Sequence, residues 1–205
     1  MKNLLKTLLF NLKILLISPL LIPFYLTSEQ DIISADVSRW EELLDWEKRA
    51  PLVQLLTLLW EAQEFRNLYY HRLFRGNAAG RLAMYILKII YRPFPYLWLD
   101  GSCNIGAGLF IQHGFSSIIM ADMGENCWIN QQITIGYKDK SGRPQLGDNV
   151  RVTAGAKVLG NIKVGNNVTI GANAVVVKDV PDNCVVVGIP AYIINRDGTK
   201  VQEKL

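Results

Sequence analysis

Histidine is nearly absent from this 205-residue chain: His71 and His113 are its only two. Two imidazoles cannot build a three-histidine zinc site, and no Cys/His cluster takes its place, so no metal is expected. The three cysteines, Cys103, Cys127 and Cys184, are odd in number and contain no CxxC pair. They make no disulfide framework, which favours a reducing compartment, the cytoplasm. A dense basic run is also missing despite a net charge of +4, which argues against nucleic acid. No acid precedes Glu29. The uncharged stretch 14–26, with Pro19 and Pro23 inside it, is shorter than the roughly 20 apolar residues that a spanning helix needs.

What is present divides the chain into four parts. Residues 1–27 are apolar and basic, with Lys2, Lys6 and Lys13, and read as a helix from about Asn3 to Ser18, stopped before Pro19. Such a segment suits an anchor lying on the inner face of a membrane, which would make the protein peripheral there. The alternatives are a helix buried in an oligomer contact, a spanning segment or a signal peptide, although no small-x-small cleavage site follows. Residues 28–95 show helical periodicity. One helix covers Asp31–Trp46, with Asp36 or Ser38 as its cap. A second starts at Pro51 and continues to Gly76, and a third covers about Arg81–Tyr91. His71, on an aromatic-rich helix, is a weak substrate-binding candidate.

From Leu99 the pattern changes to a period of six. Aliphatic residues recur at Leu99, Ile105, Ile111, a weak Ser117, Met123, Ile129 and Ile135, then at Leu146, Val152, Val158, Val164, Ile170 and Val176. Four residues after each comes a small or apolar side chain, Cys103, Leu109, Phe115 and Ala121 among them. Neither a helix nor a simple strand has that period. It is the period of a β-helix, in which each repeat buries its apolar residue by stacking on its neighbours. The fold class is therefore mainly β with an α-helical N-terminal region. Residues 96–194 form a β-helix of about four coils, and 195–205 a polar C-terminal tail expected to fray unless a partner orders it. The step from Ile135 to Leu146 is too long for one hexad, so 137–145 leaves the coil as a loop. Loops leaving rigid scaffolds commonly carry function.

The hexads, this loop and the ending VPDNCVVVGIPAYII together resemble the left-handed β-helix acyltransferases. Within them the chain is most similar to the serine acetyltransferase family and its relatives in polysaccharide gene sets. The resemblance implies a homotrimer of parallel prisms, with a higher oligomer through the helices as an extension, and acetyl-CoA as co-substrate. It implies that His113, in GLFIQHG, is the general base. Ala154 and Gly155, in TAGAKVLG, would lie beside the pantetheine arm, with Gly171 and Ala172 one coil further. Gly136 would lie near the thioester and Lys178 near the CoA phosphates. Departures concern the acceptor. Gln112 stands where serine-specific members carry aspartate, Gly142-Arg143 replaces an Arg-His pair before Pro144, and Trp98 occupies the place of the aspartate that pairs with the histidine. Gln112, Arg143 and Asp100 are candidate acceptor contacts.

A neutral imidazole, with a reference pKa of about 6.5, can accept a hydroxyl proton near neutral pH. The expected activity is thus acetyl-CoA-dependent O-acetylation of a sugar or polysaccharide precursor. A serine O-acetyltransferase with a divergent pocket is the second reading, and a non-enzymatic trimeric scaffold the third.

Overall fold

A computed structural model describes residues 2–205, the side chains of residues 2 and 3 excepted. The expectation that Lys2 lends a basic side chain to the first helix lies outside the described residues. The chain forms two compact units, one ending at Phe94 and one running Pro95–Leu205.

The first unit is helical. Helix α1 spans Lys2–Ile17, and a short 3-10 turn at Ser18–Leu20, with Pro19 inside it, leads into α2, Leu21–Leu26. Helices α3, Gln30–Leu44, α4, Pro51–Glu61, α5, Gln63–Arg75, and α6, Ala78–Leu87, follow. Proline at the first turn of α4 forfeits only an amide that has no helical partner there. Asn77 caps α6, its side chain accepting from the Gly80 amide at 3.0 Å. Gly80 admits a close approach of backbones, since a β-carbon there would lie 2.9 Å from the Thr27 Cα.

Three sequence expectations change here. The stretch 51–76 is two helices, broken at an extended Ala62. Arg66 reaches back across the break, donating to the Leu59 carbonyl from Nε at 3.0 Å and Nη2 at 2.6 Å. Asp36 does not cap α3; it lies buried within it, where Arg72 of α5 donates to its carboxylate at 2.8 Å. Ser38 is no cap either, its hydroxyl donating to the Ser34 carbonyl. Helix α6 starts at Ala78, three residues early, because Asn77 is its cap.

The second unit is a three-faced parallel coil. Its first face stacks β1, Leu97–Leu99, β3, Ser117–Ile119, β6, Thr134–Gly136, β9, Lys157–Leu159, and β12, Val175–Val176. The second face stacks β4, Asp122–Met123, β7, Gln145–Leu146, and β10, Lys163–Val164, extended by bridges to Ile105 and Val180. On the third lie β2, Phe110–Ile111, β5, Trp128–Ile129, β8, Arg151–Val152, β11, Thr169–Ile170, and β13, Cys184–Val187. The polar tail does not fray. It forms β14, Tyr192–Arg196, and β15, Thr199–Lys204, an antiparallel hairpin added to the third face.

Inside, one column per face carries the aliphatic side chains. On the first face it is Leu99, Ile119, Ile135, Val158 and Val176, each paired in register with the next. Counting such positions gives five rungs where the sequence suggested about four coils. The last rung is closed by Val180 and Val186, which fall outside the strict hexads. Between the second and third faces the chain turns at Asn126, Asn149, Asn167 and Asn183, all with φ near +55°. Asparagine tolerates that left-handed backbone, and the amides form a ladder, Asn149 donating to Asn167 at 3.1 Å and Asn167 to Asn183 at 2.9 Å. Cys103 and Cys127 fill inward positions, and burial pushes both thiols up to about 11.

The buried Arg72–Asp36 pair supplies a stability test. Asp36→Ala leaves a guanidinium buried without its carboxylate, a change that costs about 3–5 kcal/mol. Urea denaturation followed by circular dichroism should show the helical unit losing that much, and a loss below about 1 kcal/mol would contradict the pair's role.

Candidate functional site

The inward column is interrupted at one corner. Ile111 and Ile119 are eight residues apart, whereas Ile129 to Ile135, Val152 to Val158 and Ile170 to Val176 each take six. Two extra residues therefore sit between the third and first faces on the first rung. The following corner is two short, Ile119 to Met123 taking four, so the register recovers. Sequence periodicity placed Ser117 in the aliphatic column and Phe115 inward. The structure puts Ile119 in that column, buries Ser117 and leaves Phe115 45% exposed.

His113 lies on this enlarged corner. Its φ of 53° and the 57° of Ser116 are left-handed, and its imidazole is exposed, with no hydrogen bond among the described residues. Below it the same edge continues rung by rung. The Gln132 amide donates to the Phe115 carbonyl, Gly155 to Gln131, and Asn173 to Ala154, at 2.9 to 3.0 Å. His113, Ala154, Gly155, Gly171 and Ala172 thus share one edge. Gly155 is required there. Its φ is 76°, and a β-carbon would meet Asn173 Oδ1 at 1.9 Å. Small residues leave backbone accessible along this edge, a surface able to receive an extended chain.

Gln112 is held in place. Its Oε1 accepts from Trp128 Nε1 at 3.2 Å and from Asn130 Nδ2 at 3.0 Å, leaving its amide hydrogens to point elsewhere. Trp98 and Ile118, adjacent on the outer surface of the first face, are both exposed, at 62% and 42%. No carboxylate hydrogen-bonds to His113 among the described residues.

The remaining candidates lie elsewhere. Gly136 ends β6 at the opposite edge of the first face, where the loop leaves. A β-carbon at Gly136 would make only ordinary contact, 3.4 Å from Met120, so backbone crowding does not demand a glycine. Arg143 and Asp100 share that second edge. Arg143 is occupied: its guanidinium donates to Asp122 at 2.7 Å and to the Ser102 hydroxyl at 2.7 Å and carbonyl at 3.1 Å. Asp100 accepts from the Ser102 amide at 2.7 Å. Within one chain a whole face separates Arg143 and Asp100 from the edge that carries His113. His71 is a buried residue of α5 in the helical unit.

Lys178 lines a cleft of about 720 Å³ together with Val175, Val177, Pro190, Tyr192 and Leu205. Its ammonium donates to the Leu205 carbonyl at 2.6 Å. The cleft flanks the last rung, four rungs from His113, or about 19 Å at the usual strand spacing. Sequence reasoning missed the cleft wall, because it is made by the hairpin that was expected to fray. It also missed Ser102 and Asp122 as the anchors of the loop. Only the weak Ser117 hinted at the enlarged corner.

The fold and this edge define a class, a left-handed β-helix of hexapeptide repeats that follows a helical unit in the chain. Residues 143–178 match the family described as bacterial transferase hexapeptide (six repeats). A serine acetyltransferase of Staphylococcus aureus is 41% identical over 140 residues, 66% of this chain and 65% of the relative. The chain therefore spans just under two thirds of that relative's length. Among solved structures, the serine acetyltransferase of Neisseria gonorrhoeae aligns with a TM-score of 0.64 and 29% identity, covering 84% of this chain and 68% of that one. The Brucella abortus enzyme in complex with coenzyme A aligns with a TM-score of 0.65 and 26% identity, covering 83% and 69%. The polysaccharide branch expected from the sequence finds no support among these relatives.

If Arg143 anchors the loop, Arg143→Ala should free residues 137–144 while leaving the coil intact. Trypsin cleavage at Lys138 or Lys140 is expected to quicken by about tenfold, with global stability changed by less than about 1 kcal/mol. Unchanged cleavage would show that other contacts hold the loop.

Proposed function

We propose that this chain transfers an acetyl group from acetyl-CoA to the hydroxyl of L-serine, with His113 as general base. The observation that carries the proposal is His113 itself, exposed on an enlarged corner at the head of a row of small residues. The serine acceptor rests on the relatives named above, each a serine acetyltransferase by name, and it takes precedence over the glycan acceptor expected from the sequence. No metal is invoked; the chemistry needs none.

The step balances with groups of this kind alone. The imidazole of His113 takes the acceptor's hydroxyl proton as the oxygen attacks the thioester carbon. A C–O bond forms, the C–S bond breaks, and the imidazolium returns its proton to the departing CoA thiolate. Cys103 and Cys127 are too deeply buried, with thiols pushed too high, to carry the acetyl group in between. Ala154, Gly155, Gly171 and Ala172 would receive the pantetheine arm along their shared edge. The cleft at Lys178 would take the far end of the molecule, where the ammonium could exchange the Leu205 carbonyl for a phosphate.

A homotrimer of parallel prisms belongs to the same proposal. Gly136, Arg143 and the loop lie on a different edge from His113, so they can serve its reaction only when a second copy presents them. The exposed Trp98, Phe115 and Ile118 suit a surface covered by such a neighbour. A sugar hydroxyl remains the second reading for the acceptor. It is favoured by the neutral Gln112 beside the base and by an Arg143 already occupied by Asp122. The protein's place in the cytoplasm is part of this reading.

Thiol release from acetyl-CoA tests the scheme. Turnover with L-serine supports the first reading, turnover only with saccharides the second, and none with any acceptor a scaffold. His113→Ala should lower the rate by about 10²–10⁴-fold without altering the circular dichroism spectrum. A variant as fast as the parent would remove His113 from the chemistry.

A further inference from the structure

We infer that the helical unit docks on an anionic lipid surface through a composite face built by α1, α2 and α6, with α1 lying flat along the bilayer. The apolar material is there. Helix α1 exposes Leu4, Leu8 and Leu15 at 75%, 64% and 68%, and α2 adds Ile22 and Tyr25. Helix α6, which packs on α2, exposes Leu82 and Ile86, and Ile89 and Ile90 follow it at 74% and 72%. Tyr91 closes the gap between the two groups, its hydroxyl donating to the Leu16 carbonyl at 2.6 Å. Exposure on this scale marks an interaction surface, not scattered surface leucines.

The charge pattern selects the occupant. No carboxylate occurs in residues 1–28 or 65–99, whereas Lys6, Lys13, Arg81 and Lys88 do. Among the described residues, only Lys13 of these is answered by an acid, Glu61 of α4 at 2.8 Å. A second copy of this chain is a poor partner for such a face. A two-fold interface sets the same patch against itself, and here that brings Lys6, Arg81 and Lys88 towards their own kind, with Glu61 already committed to Lys13. Anionic headgroups supply the missing charge, while their acyl boundary takes the leucines.

The geometry says how the segment lies. Residues 4–26 are apolar enough to cross a bilayer, with a mean hydropathy of 1.9. Yet Ile17 and Leu20 are buried in the unit's own core, and Tyr69 donates to the Leu20 carbonyl at 2.6 Å. Crossing would break these bonds or drag Glu61 and α4 into hydrocarbon with the Lys13 ion pair. One face of the segment is committed to the protein and the other is open, which is the arrangement of a helix lying in the interface.

Vesicle co-sedimentation of the full chain tests this, with phosphatidylcholine alone against phosphatidylcholine mixed with phosphatidylglycerol. Binding to the mixed vesicles that weakens with salt is expected. Leu8→Glu with Leu15→Glu should lower partitioning to either vesicle by about tenfold or more, and Lys6→Glu with Lys88→Glu should lower it for the anionic vesicles alone. Both pairs are exposed or half-exposed, and an unchanged thermal melt and thiol-release rate would show that the fold is kept. No binding by the parent chain, or binding indifferent to both pairs, overturns the inference. So does a parent that ignores vesicles but forms an oligomer that Leu8→Glu with Leu15→Glu breaks, since the face would then belong to a second copy.

Discussion

Everything in the second unit depends on vertical stacking. Each inward aliphatic side chain stacks on its equivalents one rung above and below, so an error at one corner would be passed to every rung beyond it. The coil meets that demand by spending its irregularities in matched pairs. Two residues gained at the His113 corner are lost at the next, and Met123 returns to the column beneath Ile105. The loop is the other irregularity, and it too rejoins in phase, with Leu146 beneath Met123. Core order is thereby kept while one corner and one loop are free to project.

This compensation explains what could be read in advance. A period of six survives because the gain and the loss cancel, and so the column was legible almost throughout. The local error, Phe115 for Ser117 and Ser117 for Ile119, was confined to the stretch between the two irregularities. The fifth rung was harder to see because Val176 to Val180 is again short. The final hairpin was invisible for another reason: TKVQEK has no apolar alternation, and its order comes from pairing with β14 on an existing sheet edge.

The helical unit shows the opposite balance. Apolar spacing located the helices, but their ends and polar residues followed tertiary partners. Asp36 looks like a cap by residue type. It is instead the burial partner of an arginine 36 positions away, a relation that no local spacing encodes. Arg143 likewise has partners that local spacing does not encode. As a basic residue on a polar loop it reads as free to meet a ligand, and the structure spends it on Asp122 and Ser102 to hold the loop down.

These two lessons bear on the acceptor. In the reading proposed above, the donor side would rest on features that stacking enforces: small residues along one edge, with Gly155 fixed by its backbone and by Asn173. The acceptor side would rest on features that stacking leaves free, namely the enlarged corner around His113 and the loop on another edge. Substitution in the first group would disturb the coil, whereas substitution in the second costs the coil little. On that reading, acceptor preference could drift on this scaffold while the proposed thioester edge is retained, and Gln112 and Trp98 stand where that drift would be felt. Relatives that agree along the coil consequently carry more weight for the donor than for the acceptor, and direct comparison of acceptors is the measurement that discriminates.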